Sequence, residues 1–186
     1  MKAIILAGGF GTRLRSVTGD IIPKCLVPIM DKPIIDYVIS RMQKQGIKDI
    51  TLALHYKADM FLKKYQHLRC VVEEIPLGTG GAIKNCIEGD DPVLVVNGDT
   101  IAPIDYTDML ANHAGPLSVA ITSKNGHMQS AGIYIIDPKL FDNSPKGSFS
   151  FENDIVPHTL KKFYPIPWFT DMGSPEGYEE VKRTVE

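Results

Sequence analysis

Residues 3–14 read Ala3-Ile4-Ile5-Leu6-Ala7-Gly8-Gly9-Phe10-Gly11-Thr12-Arg13-Leu14. Five apolar residues in a row, cut off by paired glycines, fit a buried parallel strand better than a surface helix. Residues 8–23 turn Gly-rich, then polar and basic, and read as loop. The pattern then repeats. Ile34, Ile35, Tyr37, Val38, Ile39 and Met42 form a helical stripe over 33–45, with Pro33 near its first turn and Gly46 just past its end. Strand follows at 49–54, helix at 58–65, strand at 70–72 and helix at 82–87, entered through Gly78-Thr79-Gly80-Gly81. Val93-Leu94-Val95-Val96 is the strongest strand signal, stopped by Asn97-Gly98-Asp99. Alternating strands and helices favour an α/β fold, a Rossmann-like mostly parallel sheet with helices on both faces. The second half is less regular: strands at 117–122 and 132–136, helices at 153–160 and 175–185. No internal repeat or low-complexity linker interrupts the pattern, so residues 1–186 are expected to form a single domain.

Composition narrows the role. Twenty basic and 22 acidic residues leave a net charge of −2, too little positive charge for duplex binding as the main task. A few placed lysines and arginines still suffice for a small anion. Cys25, Cys70 and Cys86 are too few and too scattered for a disulfide framework, and none forms a CxxC pair. A reducing cytoplasm is the simplest setting. The apolar run at the start stops at Gly8-Gly9, short of a secretory signal, and no run approaches a membrane span.

Glycines after the first strand of such a sheet bring backbone N–H groups close to a ligand, often a phosphate. A dinucleotide fingerprint would need Gly or Ala where Leu14 stands, and an acidic residue where His55-Tyr56-Lys57 follows the second strand. A P-loop would need Gly-Lys-Ser/Thr, which is missing. A plain tight turn stays open. More residues join in, however. Pro23-Lys24 follows the glycine loop; then come Pro76-Leu77-Gly78-Thr79-Gly80-Gly81-Ala82, Asn97-Gly98-Asp99, Ala131-Gly132-Ile133-Tyr134, Phe151-Glu152-Asn153-Asp154 and Asp171-Met172-Gly173-Ser174-Pro175-Glu176. This ordered set resembles the sugar-1-phosphate nucleotidyltransferases, or NDP-sugar pyrophosphorylases. Within them, the short length and the Leu77–Ile83 wording look most like the bacterial heptose-1-phosphate guanylyltransferases, with mannose-1-phosphate guanylyltransferases next.

The resemblance implies a nucleotidyltransferase (glycosyltransferase-A-like) fold and a Mg²⁺-dependent reaction. A sugar 1-phosphate oxygen attacks the α-phosphorus of a nucleoside triphosphate, GTP by preference, and pyrophosphate leaves. The nucleophile is already an anion, so cations, N–H donors and a metal are needed rather than a general base. Arg13 would clamp the triphosphate through its planar fork, and Lys24 would neutralise the transferring or sugar phosphate as a point charge. Leu6, Ala7, Gly8, Gly9, Gly11 and Thr12 would line the nucleotide with Gly78, Thr79 and Gly81. Gly132 and Glu152 would face the sugar. Asp99 and Asp171 would hold Mg²⁺, which takes oxygen ligands and usually one or two carboxylates. Taken singly, Asp99 suits a turn, Asp171 a cap, and Glu152 the first turn of a helix. Ser174 and Pro175 read as the cap and first position of the last helix. Trp168 and the Phe163/Tyr164 pair read as core or rim, and Cys25 as structural.

The resemblance also departs at one place. Many relatives carry a longer excursion between the strand at 117–122 and the Ala131-Gly132-Ile133-Tyr134 strand, often with a Glu-Lys pair near the sugar phosphate. Here only residues 124–130 intervene, a segment that suits a turn at Asn125-Gly126. Lys124 is its remaining cation. The chain also ends soon after the last predicted helix, without the C-terminal domains of larger relatives. The expected partners are a nucleoside triphosphate and a sugar 1-phosphate, with no nucleic acid and no membrane; a homodimer stays open. Non-catalytic sugar-nucleotide binding is the alternative class.

Overall fold

Ile4 and Ile5 are buried in two different apolar cores, one on each side of a strand. That strand is β1, Lys2–Leu6, in a computed structural model that describes residues 1–19, 21–124 and 126–185. The six other strands of its sheet are β2 (Asp49–Leu54), β3 (Arg69–Val72), β4 (Val93–Asn97), β5 (Leu117–Lys124), β6 (His127–Ile136) and β7 (Lys161–Pro165). They lie in the order β7-β5-β6-β4-β1-β2-β3. Neighbours are parallel except where β6 runs antiparallel to β4 and β5. The helices are α1 (Ile34–Lys44), α2 (Ala58–Lys64), α3 (Gly78–Cys86), α4 (Tyr106–Ala111) and α5 (Pro175–Val185).

Helices cover both faces. Ile35, Val38, Ile39 and Met42 of α1, Phe61 of α2 and Met109 of α4 pack with Ile5, Leu52 and Val96. Ile83 of α3 packs on the other face with Ile4, Val95, Tyr134 and Phe151. Each such side chain contributes roughly 1.5–3 kcal/mol by leaving water. A third cluster joins Leu14, Val27, Ile29, Ile34, Met172 and Val181. It ties the glycine loop, α1, the segment after Asp171 and α5 into one body. Among the described residues no helix is long and apolar enough to cross a membrane.

Several elements differ from the sequence reading. The segment 8–23 is not all loop: Thr12–Leu14 makes a 3-10 turn and Arg15–Thr18 a short helix. Leu14 drives this, because burying it in the third cluster folds the chain back under the loop. The helix α3 begins at Gly78 itself rather than at residue 82. The helix expected over 153–160 is instead a wide turn at Phe151–Ile155 and a 3-10 turn at Val156–His158. Pro157 lacks the N–H that would continue a regular helix. β7 follows, unpredicted because Lys161, Lys162 and Pro165 mark a guarded sheet edge rather than a buried strand. The short helix α4 also went unread; the Asp105 carboxylate caps it by accepting from Thr107 and Asp108 N–H, each at 2.9 Å. Lys124 and His127 are paired across the β5–β6 hairpin, flanking the expected turn; its Asn125 lies outside the described residues.

Candidate active site

The register of the sheet aligns strand ends. Leu6 pairs with Ala53 on one side and Asn97 on the other, so β1, β2 and β4 stop together. Gly98 N–H donates to the Leu6 carbonyl at 2.9 Å, and Glu73 N–H to the Leu54 carbonyl at 2.9 Å. Ligands of open α/β sheets bind at such carboxyl ends. A cleft of about 270 Å³ opens there, lined by Leu6, Gly8, Gly9, Lys24, Asn97 and Asp99 toward its middle and by His55, Glu73, Gly78 and Glu152 further out.

Lys24 begins a 3-10 turn behind Pro23, and its Nζ lies 2.8 Å from Asp99 Oδ2. Burial would lower the lysine pKa, but the Asp99 carboxylate, helped by Asp171, holds it above the usual range. The ammonium is thus fully charged at neutral pH. Gly11, with φ +60°, packs against the Lys24 side chain and steers it; a β-carbon there would lie 3.2 Å from Lys24 Cβ. Cys25, wholly buried beside this pair, has its thiol pushed up to about 12 by burial, in keeping with a structural part.

Asp99 and Asp171, 72 positions apart, meet through a two-stranded antiparallel pair. Thr100 is the register partner of Asp171, and Met172 N–H donates to the Asp99 carbonyl at 3.2 Å. Asp171 Oδ1 accepts from Gly173 N–H at 2.7 Å. The same glycine brings in Arg13: a β-carbon on Gly173 would lie 2.7 Å from Asp171 Oδ1 and 3.9 Å from Arg13 Nη2. Leu14 and Met172, the neighbours of Arg13 and Asp171, share the third core cluster, and this burial brings the two segments together. Two carboxylates beside a cation and a phosphate-sized cleft suit a hard cation that completes its shell with phosphate oxygens. Among the described residues no group of three or more His, Cys, Asp or Glu forms a metal cage.

The outer end of the cleft is built on the start of α3. Gly78 takes φ +70°, and any β-carbon there would strike the Phe149 carbonyl. Gly80 N–H and Phe149 N–H exchange bonds with Phe149 and Leu77 carbonyls, each at 3.0 Å. Thr79 Oγ1 donates to Glu152 Oε2 at 2.6 Å and accepts from Phe151 N–H at 2.8 Å. Thr79 and Glu152, expected on the nucleotide and sugar sides, are therefore one hydrogen-bonded unit.

Not every expected residue lines the cleft. Ala7 is buried, and Gly81 is packed against the Leu77 side chain and the Gly147 carbonyl, so its smallness serves packing. Gly11, Thr12 and Arg13 lie outside the cleft lining, Arg13 reaching toward the Gly173 position beside Asp171. Gly132, with φ +67°, gives its space to the Asn97 amide, because Ile133 pairs with Val96 and brings the two side by side. Asn97, not Gly132, lines the cleft. Gly132→Ala is expected to lose about 2 kcal/mol, from the left-handed backbone and the collision with Asn97; urea unfolding measures it, and unchanged stability would refute the packing argument. Phe10, His55 and Glu73 were missed. Phe10 sits edge-on to His55 with centroids 5.6 Å apart, and His55 Nδ1 lies 3.0 Å from the Glu73 carbonyl. Their signal was position alone: each follows the end of a sheet strand.

This arrangement defines a nucleotide-handling α/β protein with a lysine–carboxylate centre. Residues 2–124 match the nucleotidyl transferase family, and the chain belongs to it. It is 31% identical to the D-glycero-alpha-D-manno-heptose 1-phosphate guanylyltransferase of Aneurinibacillus thermoaerophilus, over all of this chain and 99% of that protein. It is 32% identical to the enzyme of the same name from Campylobacter jejuni, over 96% of this chain and 97% of that protein. The crystal structure of HddC from Yersinia pseudotuberculosis complexed with GMP-PN superposes with a TM-score of 0.87 at 31% identity, covering all of this chain and 99% of that one. The first alignment runs to 228 positions against 186 residues here, so at least 42 positions of that relative have no counterpart.

Proposed function

We propose that the chain transfers GMP from GTP to a sugar 1-phosphate, with a heptose 1-phosphate as preferred acceptor, Mg²⁺ as cofactor and pyrophosphate as product. The observation that carries this reading is the Lys24 ammonium, held 2.8 Å from Asp99 between the glycine loop and Asp171. The whole chain would act as one nucleotidyltransferase domain in the cytoplasm, where its three free cysteines suit a reducing compartment, and would supply an NDP-sugar for surface polysaccharide.

In the reaction a sugar-phosphate oxygen forms a bond to the α-phosphorus while the bond to the bridging oxygen of pyrophosphate breaks. Lys24 neutralises charge on the phosphate being transferred. Arg13 offers its fork to the leaving pyrophosphate. Backbone N–H groups of the Gly8–Gly9 turn approach the phosphates closely, since neither glycine carries a side chain. Asp99 and Asp171 would hold Mg²⁺, which when bound neutralises phosphate oxygens and aligns the chain for in-line attack. Asp99 also keeps Lys24 in place.

Glu73 accounts for the base. Its Oε2 accepts from Leu77 N–H at 3.0 Å, which fixes the carboxylate at the outer wall of the cleft. The other oxygen remains as an acceptor. Guanine presents N1–H and N2–H donors on one edge, whereas adenine offers an acceptor at N1. A screen of four nucleoside triphosphates against a panel of sugar 1-phosphates, following pyrophosphate, tests the reading. GTP with a heptose 1-phosphate is expected to be fastest and mannose 1-phosphate next. No pyrophosphate from any pairing, with Mg²⁺ present, would overturn it. Glu73→Gln keeps the bond to Leu77 but loses the anionic acceptor, and the preference for GTP over ATP should fall about tenfold.

A further inference from the structure

Between α1, residues 100–102 and the end of α5 lies a pocket of about 570 Å³, apart from the cleft of the glycine loop. Its charged lining residues are Lys32, Arg41 and Lys44, and no carboxylate lines it. Tyr37, Arg41 and Lys44 stand at i, i+4 and i+7, so they share a face of α1. Lys32 Nζ sits 4.2 Å from the centre of the Tyr37 ring, which gathers the third cation onto that face. Like charges one turn apart repel. Among the described residues none of the three is joined to a carboxylate. Asp31 adds to the effect of burial in raising the Tyr37 pKa, yet it stays out of the lining; Glu186, after Val185, lies outside the described residues.

The pocket is held in shape by its own hydrogen bonds. Gln45 Nε2 donates to the Ile104 carbonyl at 2.9 Å, and Gln45 Oε1 accepts from Tyr106 N–H at 2.7 Å. Arg41 Nε donates to the same carbonyl at 3.5 Å, which orients the guanidinium and leaves its terminal nitrogens for a ligand. Trp168, 41% exposed, supplies a large ring to the wall. Three cations without an acid suit phosphate groups, and a di- or triphosphate meets more of them than a single phosphate does. An indole stacks on any flat base without reading its edge. The amide in the lining, Gln45, is engaged at both ends and does not select a base. The volume falls in the range of roughly 300–1,000 Å³ usual for small-molecule sites.

We propose that this pocket is a second nucleotide site, for a nucleoside di- or triphosphate of any base, with the phosphates among Lys32, Arg41 and Lys44 and the base on Trp168. It goes beyond the transferase reading and does not depend on it. Lysines and an arginine do here what a metal would do beside carboxylates, so the pocket binds without Mg²⁺. In the cleft, by contrast, Glu73, Asp99 and Glu152 repel a metal-free phosphate chain. The Thr100–Ile101 wall is paired with Thr170–Asp171, so a nucleotide in the pocket lies against the ladder that carries Asp99 and Asp171.

ADP in the presence of EDTA is the probe. Trp168 is the chain's one tryptophan, and ADP should change its emission and saturate at one metal-free site per chain by calorimetry. UDP should match ADP within about threefold, and inorganic pyrophosphate, which has no ring, should bind about tenfold more weakly. Lys44 is exposed, so Lys44→Glu tests charge rather than folding; ADP affinity should fall at least tenfold, with Tm and pyrophosphate release from GTP unchanged. Trp168→Ala should weaken ADP about tenfold and leave pyrophosphate affinity unaltered. No metal-free ADP binding, or equal affinity in wild type and Lys44→Glu, would overturn the site. Pyrophosphate binding as tight as ADP would overturn the placement of a base on Trp168. A chain that binds ADP in this way but releases no pyrophosphate from GTP with any sugar 1-phosphate would overturn the transferase reading and leave the second site standing.

Discussion

Asp99→Asn is expected to lower turnover on the order of a thousandfold and to raise the Mg²⁺ concentration for half-maximal rate. Asparagine keeps the shape of a side chain that is only 3% exposed, so the loss is one of charge. It reaches Lys24 as well. In the wild type the charge and hydrogen bond of Asp99, together with Cys25 and Asp171, outweigh burial and raise the lysine pKa above its ordinary 10.5; in the variant the Asp99 charge is gone and burial pulls the pKa down. The wild-type contribution to stability is complete below the unfolded pKa and is lost only as pH rises through the higher folded one, so neutral pH lies inside it. In the variant an uncompensated ammonium costs about 1–3 kcal/mol at pH 7, roughly 3–10 °C in Tm, and stability recovers as pH rises toward the unfolded pKa. Rates against Mg²⁺ and melts at pH 7 and pH 9 measure both effects. Near-wild-type turnover at limiting Mg²⁺ would remove Asp99 from the metal site.

For Arg13→Lys the expected fall in kcat/KM is about a hundredfold, with Tm unchanged. Arg13 is exposed, and the neighbouring Leu14, only 1% exposed, holds the backbone in either variant. Lysine keeps the charge and loses the planar fork that matches two phosphate oxygens at once. Equal efficiency of the two proteins would mean that Arg13 supplies only charge at long range, and the pyrophosphate clamp would have to be sought elsewhere.

Local pattern was sufficient for much of this molecule. The strands β1, β2 and β4 and the helices α1 and α5 follow from runs and stripes of apolar residues bounded by Gly, Pro and Ser174. Burial on one or both faces leaves a periodic trace in the sequence, and such elements are long enough to show it. The glycine loop and Asp99 were likewise readable as candidates, because strand ends and loop glycines announce where a sheet binds ligands, whereas Lys24 and Asp171 stood out only through the family resemblance. Elements whose form comes from neighbours left no such trace. β7 is short, charged and at an edge, and it exists because β5 offers it hydrogen bonds. The wide turn at Phe151–Ile155 comes from Phe151 filling the core beneath Tyr134, with ring centroids 5.1 Å apart.

The site shows the same division. Residue types for phosphate and metal chemistry stand in the sequence, but their meeting does not. Asp99 and Asp171 are joined by a two-residue ladder, Arg13 and Asp171 by the shared burial of Leu14 and Met172, and Thr79 and Glu152 by one hydrogen bond. Gly132 could be read from sequence as an open approach to a sugar, yet the space beside it belongs to Asn97. Contacts between residues tens of positions apart depend on register and on which side chains fill the core. Those are set only when the whole sheet is assembled, so chemistry was legible in the chain while geometry waited for the fold.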